Sequence, residues 1–246
     1  MTVTITEQTA DHQPPRIPHE GHHRDVNGGW LRPAVFGAMD GLVSNLALMT
    51  GVVGGDIGRT AVIITGLAGL AAGACSMAAG EYTSVASQRE LVEAEIEAER
   101  LELHRNPQGE LAELAQLYVA KGVEPALAHE VARQLSVDPE RTLAVHAREE
   151  LGIDPADLPS PLVAAASSFG CFAVGALLPL LPYLLGATAL WPALIVASVG
   201  LFLCGAVVAR VTARSWWFSG LRQLVLGGAA AGVTFLLGHL IGGHVG

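Results

Sequence analysis

Two groups of side chains in this sequence could do chemistry. The first centres on Asp40, which sits in "FGAMDGLVSNLALMTG", residues 36–51, a run otherwise apolar enough to cross a bilayer. A carboxylate at mid-membrane costs about 2.5–3.5 kcal/mol, so an acid there marks an ion or proton path; the plainer alternative is a neutral aspartate bonded to a neighbouring helix. Ser44 follows one turn later on the same face and Asn45 is next to it, giving the helix a polar stripe. In the next apolar run, "CSMAAGEY" sets Met77 and Glu81 one turn apart. A thioether and a carboxylate beside Asp40 suit a transition metal better than Na⁺ or Mg²⁺. Taken singly, Met77 reads as core filler and Glu81 as an interfacial acid reaching water.

The second group is a run of acids. Glu95, Glu99 and Glu102 recur at i, i+4 and i+7, and Glu110 and Glu113 follow the reversal "NPQG" at 106–109. A tight antiparallel return would set Glu99 and Glu102 opposite Glu110 and Glu113. Converging carboxylates raise one another's pKa unless a cation neutralises them. His146 and Glu150, spaced i and i+4, could add an imidazole and a further carboxylate. Oxygen ligands with one nitrogen suit Fe²⁺, Mn²⁺ or Zn²⁺. On spacing alone, an ordinary solvated glutamate face is the plainer reading.

The elements that must hold these residues follow from hydropathy and charge. Of the 246 residues 51% are hydrophobic but only 5% aromatic, an Ala/Leu/Val/Gly palette that fits packed membrane helices. The net charge of −9 is local: residues 89–157 hold 16 acidic and 7 basic side chains, and no Asp or Glu follows Leu158. Five apolar runs are expected, at about 31–53, 61–79, 161–185, 190–210 and 219–243. The first, some 23 helical residues, reaches roughly 34 Å, enough to cross a bilayer and to set Asp40 about 13 Å deep. No breaker occurs between Glu81 and Arg105, so the second run continues as one long helix out of the membrane.

Three further helices are expected in the acidic segment: Glu110 to Lys121, Pro125 to Leu135, and one with Asp138 as N-cap, Pro139 at its first position and Gly152 closing it. The sequence therefore reads as all-α, a five-span membrane protein with a helical module between spans two and three. It divides into a tail at 1–30, spans at 31–88, the acidic module at 89–157 and spans at 158–246. Arg16, Arg24, Arg32, Arg89, Arg210, Arg214 and Arg222 fall on one side of the membrane and Arg59 alone on the other. The positive-inside rule then puts the N-terminus and the module in the cytoplasm.

Other functions find little support. Cys75, Cys171 and Cys204 all lie in apolar runs and form no disulfide or zinc pattern. His19, His22 and His23 in the tail could capture metal weakly, but the composition reads as disordered chain. There is no nucleotide loop, HExxH or GxSxG, and no nucleic-acid footprint. No cleavable signal peptide is visible.

"MDGLVSNLAL", "SMAAGEYTSVASQRE" and "HAREELGID" resemble the vacuolar iron transporter family, including bacterial members, with similarity from about Leu31 to the C-terminus. The resemblance implies a dimer that moves Fe²⁺, in some members also Mn²⁺, out of the cytosol against inward-moving protons. It implies that Asp40 and Met77 lie on the intramembrane metal path, with Glu81 close by. It also implies that Glu99, Glu102, Glu110, Glu113 and Glu150 bind metal in the module. His146 stands where a methionine is usual, a harder and titratable ligand whose affinity is expected to fall below about pH 6. Ala147 replaces a second methionine of some members, and Pro33 and Gly69 stand where some place further acids.

The leading expectation is a proton-coupled divalent-metal transporter in a lipid bilayer, with no fixed cofactor, in a bacterial inner membrane or a vacuolar membrane. The alternative is a membrane-anchored metal-binding or sensing protein that does not transport; it would need the module but not Asp40 or Met77. An enzyme is disfavoured, because a di-iron bundle wants Glu-x-x-His pairs and the module has none.

Overall fold

The computed structural model describes residues 29–211 and 214–245 and is all-α over that range. Residues 1–28 of the expected tail, with His19, His22 and His23, lie outside the described residues. Eight helices follow in order: α1 Leu31–Gly54, α2 Arg59–Arg105, α3 Pro107–Ala120, α4 Pro125–Leu135, α5 Pro139–Glu149, α6 Pro161–Leu184, α7 Trp191–Val211 and α8 Trp216–Val245. Five of them, α1, α2, α6, α7 and α8, are long and apolar enough to cross a membrane. The remaining three form the module between the second and third spans, together with the polar end of α2.

The caps follow from local chemistry. Asn106 accepts a hydrogen bond from the Gly109 amide at 3.1 Å, and Pro107 takes the first helical position. The "NPQG" reversal is therefore itself the start of α3, three residues earlier than the apolar spacing suggests. Glu124 and Asp138 accept from Leu127 and Arg141 in the same way, each followed by proline. At the end of α5, the Ile153 amide reaches back to the Ala147 carbonyl across Gly152, whose φ of 67° suits glycine. At the opposite membrane face, the Arg59 guanidinium donates to the Tyr183 carbonyl from Nε at 3.2 Å and Nη2 at 2.6 Å. A cation thus closes the negative end of α6.

Helix α1 is the central span: 44% of its membrane window is buried within the chain, against 11% for α8 and 17% for α2. Small residues let its neighbours approach. A Cβ on Gly41 would overlap the Phe172 carbonyl oxygen of α6, and one on Gly238 of α8 would overlap the Gly51 carbonyl oxygen of α1. Around these crossings Met49, Val62, Leu180, Tyr183 and Ala193 form one core, and Ala74, Phe172 and Ala176 another. Thr50 adds a polar tie, with its hydroxyl 3.0 Å from that of Thr234 on α8.

The obstacle at Gly238 is backbone, so no side chain can yield. Gly238→Ala is expected to lower stability in detergent by about 1–3 kcal/mol, the usual range for overpacking. Gly232→Ala on the same helix meets nothing within 4 Å and should leave the melting temperature unchanged.

Candidate metal centre

Three helices of the module, α2, α3 and α5, converge on His146. Leu114, Ala115 and Ala132 pack α3 against α4. Glu149 ties α3 to α5, accepting from the Tyr118 hydroxyl at 3.2 Å and pairing with Lys121. This clamp holds the end of α5, where Glu150 lies, against α3. It could not be read from sequence spacing, because its partners lie 28 and 31 residues apart.

The convergence brings together Glu99 of α2, Glu110 in the first turn of α3, His146 of α5 and Glu150 at the end of α5. One ligand atom from each lies within 4.8 Å of all the others. His146 is fully buried; its Nδ1 is 2.8 Å from Glu150 Oε1, 3.0 Å from Glu99 Oε1 and 3.9 Å from Glu110 Oε2. Only the Glu150 contact has hydrogen-bond geometry. Glu99 Oε1 and His146 Nε2 are buried with no hydrogen-bond partner. Orphaned polar atoms in a closed site call for a missing partner, and a cation is the partner that acceptor oxygens would take.

The electrostatics point the same way. Burial holds the Glu99 carboxyl above the ordinary range, and the charge of Glu150 adds to this, while the His146 imidazole pulls it down. Burial, then Glu99 and Glu113, raise Glu110. Burial also raises Glu150 against the opposing pull of His146. Glu102 and Glu113 are exposed and do not reach the buried cluster, but their charges raise both Glu99 and Glu110. Glu95 is exposed on the same long helix.

Of the intramembrane residues, Asp40 and Ser44 are half-buried and joined, the Ser44 hydroxyl donating to Asp40 Oδ1 at 2.7 Å. Asn45 turns away from them. Its Nδ2 donates to the Ala176 carbonyl of α6 at 2.6 Å, and its buried Oδ1 lies beside Gly69 of α2 without a partner. Met77 is half-buried against the Ala74, Phe172 and Ala176 cluster, and Glu81 is half-buried one turn further along α2.

A family model described as the VIT family matches residues 31–239 of this chain. The chain belongs to the vacuolar iron transporter family. A protein of Acanthamoeba castellanii named "Vacuolar iron transporter" is 45% identical over 168 residues, 68% of this chain and 60% of that protein. "Vacuolar iron transporter homolog 1" of Oryza sativa subsp. japonica is 36% identical over 87% of this chain and 75% of its own length. "Vacuolar iron transporter 1" of Arabidopsis thaliana is 28% identical over 89% of this chain and 90% of its own. This chain thus spans about three fifths of the first relative and three quarters or more of the other two. The family is one of transporters, not enzymes, and this member is an integral membrane protein.

Proposed function

We propose that this vacuolar iron transporter family member carries Fe²⁺ out of the cytosol in exchange for protons, with Mn²⁺ as a second substrate. The observation that carries the reading is the buried group of three carboxylates and one imidazole on the module of a five-span chain. In this reading residues 89–157 collect metal on the cytosolic side, with Glu102 and Glu113 as an acidic rim. Residues 31–88 and 158–246 form the membrane pathway, in which Glu81, Met77 and Asp40 receive the ion. Metal at Asp40 neutralises the carboxylate, and a proton does so once the metal has left on the far side. A homodimer is part of this reading: α2 and α8 leave most of their membrane windows uncovered within one chain, 17% and 11% buried, which is room for a second copy. The Ala- and Gly-rich composition supports a bacterial inner membrane as its location, and the vacuolar names of the eukaryotic relatives support a vacuolar membrane as the other.

The test is metal flux into proteoliposomes with the module facing outward, with and without an acidic interior. Each proton exchanged contributes about 1.4 kcal/mol per pH unit, so steady-state accumulation of Fe²⁺ should rise about tenfold per unit and per proton. Accumulation indifferent to the gradient would remove proton coupling. Metal binding without any flux would make the protein a sensor or store. Competition between Fe²⁺ and Mn²⁺ in the same vesicles ranks the two ions.

A further inference from the structure

Beyond Asp40 and Ser44, the polar side of α1 leads to a cavity at the membrane face opposite the module. Asp40, Ser44, Leu48, Gly51 and Gly55 recur at spacings of three and four and so share one side of the helix. Leu48 rests on Gly69 of α2, where an added Cβ would meet its Cδ1. From Leu48 onward, α1, α2 and α8 border a space of about 650 Å³. Gly51 and Gly55 of α1 and Gly238 and Gly242 of α8 line it without side chains to fill it, and Thr65 of α2 and Thr234 of α8 add hydroxyl groups to its wall. Asp56 also lines it, about 12 Å beyond Leu48 by helical rise.

Asp56 is the single carboxylate of this half of the membrane domain: no other Asp or Glu occurs in residues 41–80 or 158–246. It is exposed, and among the described residues its carboxylate has no ion pair. Arg59, the cation three residues on, donates instead to the Tyr183 carbonyl of α6. The Asp56 backbone turns the chain out of α1 with a φ of 55°, a conformation that aspartate and asparagine tolerate better than most residues. A lone negative charge at the mouth of a cleft with low-dielectric walls concentrates cations there.

We propose that this cavity is the release vestibule for the divalent cation, with Leu48 on Gly69 separating it from Asp40, and Asp56 holding the ion last before the far solution. The inference rests on the transport reading and adds the exit to it.

Thr65→Cys reports on the cavity in proteoliposomes with the module outward. A membrane-impermeant thiol reagent, cationic or anionic, is supplied inside or outside, and adducts are counted by intact mass against wild type, which carries Cys75, Cys171 and Cys204. Reagent inside should modify Thr65→Cys, and reagent outside should not. Relative to a free thiol in solution, the cationic reagent should react about tenfold faster than the anionic one, and Asp56→Asn should abolish that preference. Millimolar Mn²⁺ inside should slow the cationic reagent only where Asp56 is present. Asp56→Asn keeps the turn; should it fail to fold with the reporter, Asp56→Gly suits the same φ, and Ile57→Cys, at a site 66% exposed, replaces the reporter. No modification from inside, modification from the module side, or a preference untouched by Asp56→Asn would each overturn the proposal. None of these readouts needs flux. Adducts as expected in vesicles that accumulate no Fe²⁺ would overturn the transport reading and leave the cation site standing. Where flux is present, Asp56→Asn should lower it about tenfold with module binding unchanged, and undiminished flux would remove the release role.

Discussion

Asp40→Asn is expected to reduce gradient-driven Fe²⁺ flux at least a hundredfold while leaving Fe²⁺ binding by the module within about twofold of wild type. The substitution is nearly isosteric, and the amide oxygen can still accept from the Ser44 hydroxyl, which donates to Asp40 Oδ1 at 2.7 Å. Packing around this half-buried position is therefore kept, and the melting temperature should not move. What is lost is the charge. A cation in the hydrocarbon region needs an offset of about 2.5–3.5 kcal/mol per charge, which corresponds to about a hundredfold in occupancy. The amide also has no proton to exchange, so the coupled half of the cycle disappears with the metal half. Asp40→Glu should retain part of the flux, because it keeps both properties at a displaced position. Flux through Asp40→Asn equal to wild type would remove Asp40 from the path.

Much of the scaffold was legible because its signals are local. Pro125, Pro139 and Pro161 each follow a side chain that accepts from a first-turn amide, so capping and proline position agree at these three helix starts; the same signal at Asn106-Pro107 reads equally as a turn, which is why α3 begins three residues before the expected Glu110. His146 and Glu150 were legible for the same reason: one turn of one helix sets their contact. The partners contributed by other helices were only half legible. Glutamates recur along α2 on more than one face, and spacing does not say which one the fold turns inward. Burial of Glu99, with Glu102 left exposed, is decided by where α3 and α5 dock. Asn45 makes the same point within the membrane. Adjacent to Ser44 in sequence, it is rotated by about 100° and serves the α1–α6 contact. The Glu149 clamp and the Arg59 cap on α6 have no signal in spacing, because each joins residues far apart in the chain.

The metal centre makes a prediction in which affinity and stability move in opposite directions. Glu99→Gln is expected to weaken Fe²⁺ binding by about a hundredfold or more, beyond the range that the loss of a mere supporting contact costs. The same change should raise the melting temperature of the metal-free protein at pH 7. The sign follows from the raised pKa of Glu99, which comes first from burial and then from Glu150. A carboxyl whose folded pKa lies above its unfolded value binds more protons in the folded state. Its favourable contribution is complete below about 4.5 and is lost as pH rises through the raised range. Glu110 and Glu150 have the same sign. The opposite pull of Glu130, pushed down to about 2 by Arg133 and Gln134, acts only below its ordinary value of 4.5, so the interval from there towards neutrality belongs to the buried cluster. Metal-free protein should therefore gain stability on mild acidification across that interval, and Glu99→Gln should flatten the gain. Fe²⁺ affinity should fall over the same interval, because the ion must expel the protons that burial retains. Were Glu99 there only as a structural ion-pair partner of His146, neutralising it would leave the module less stable without metal. A fall in the melting temperature of metal-free Glu99→Gln would therefore count against a site built for a cation.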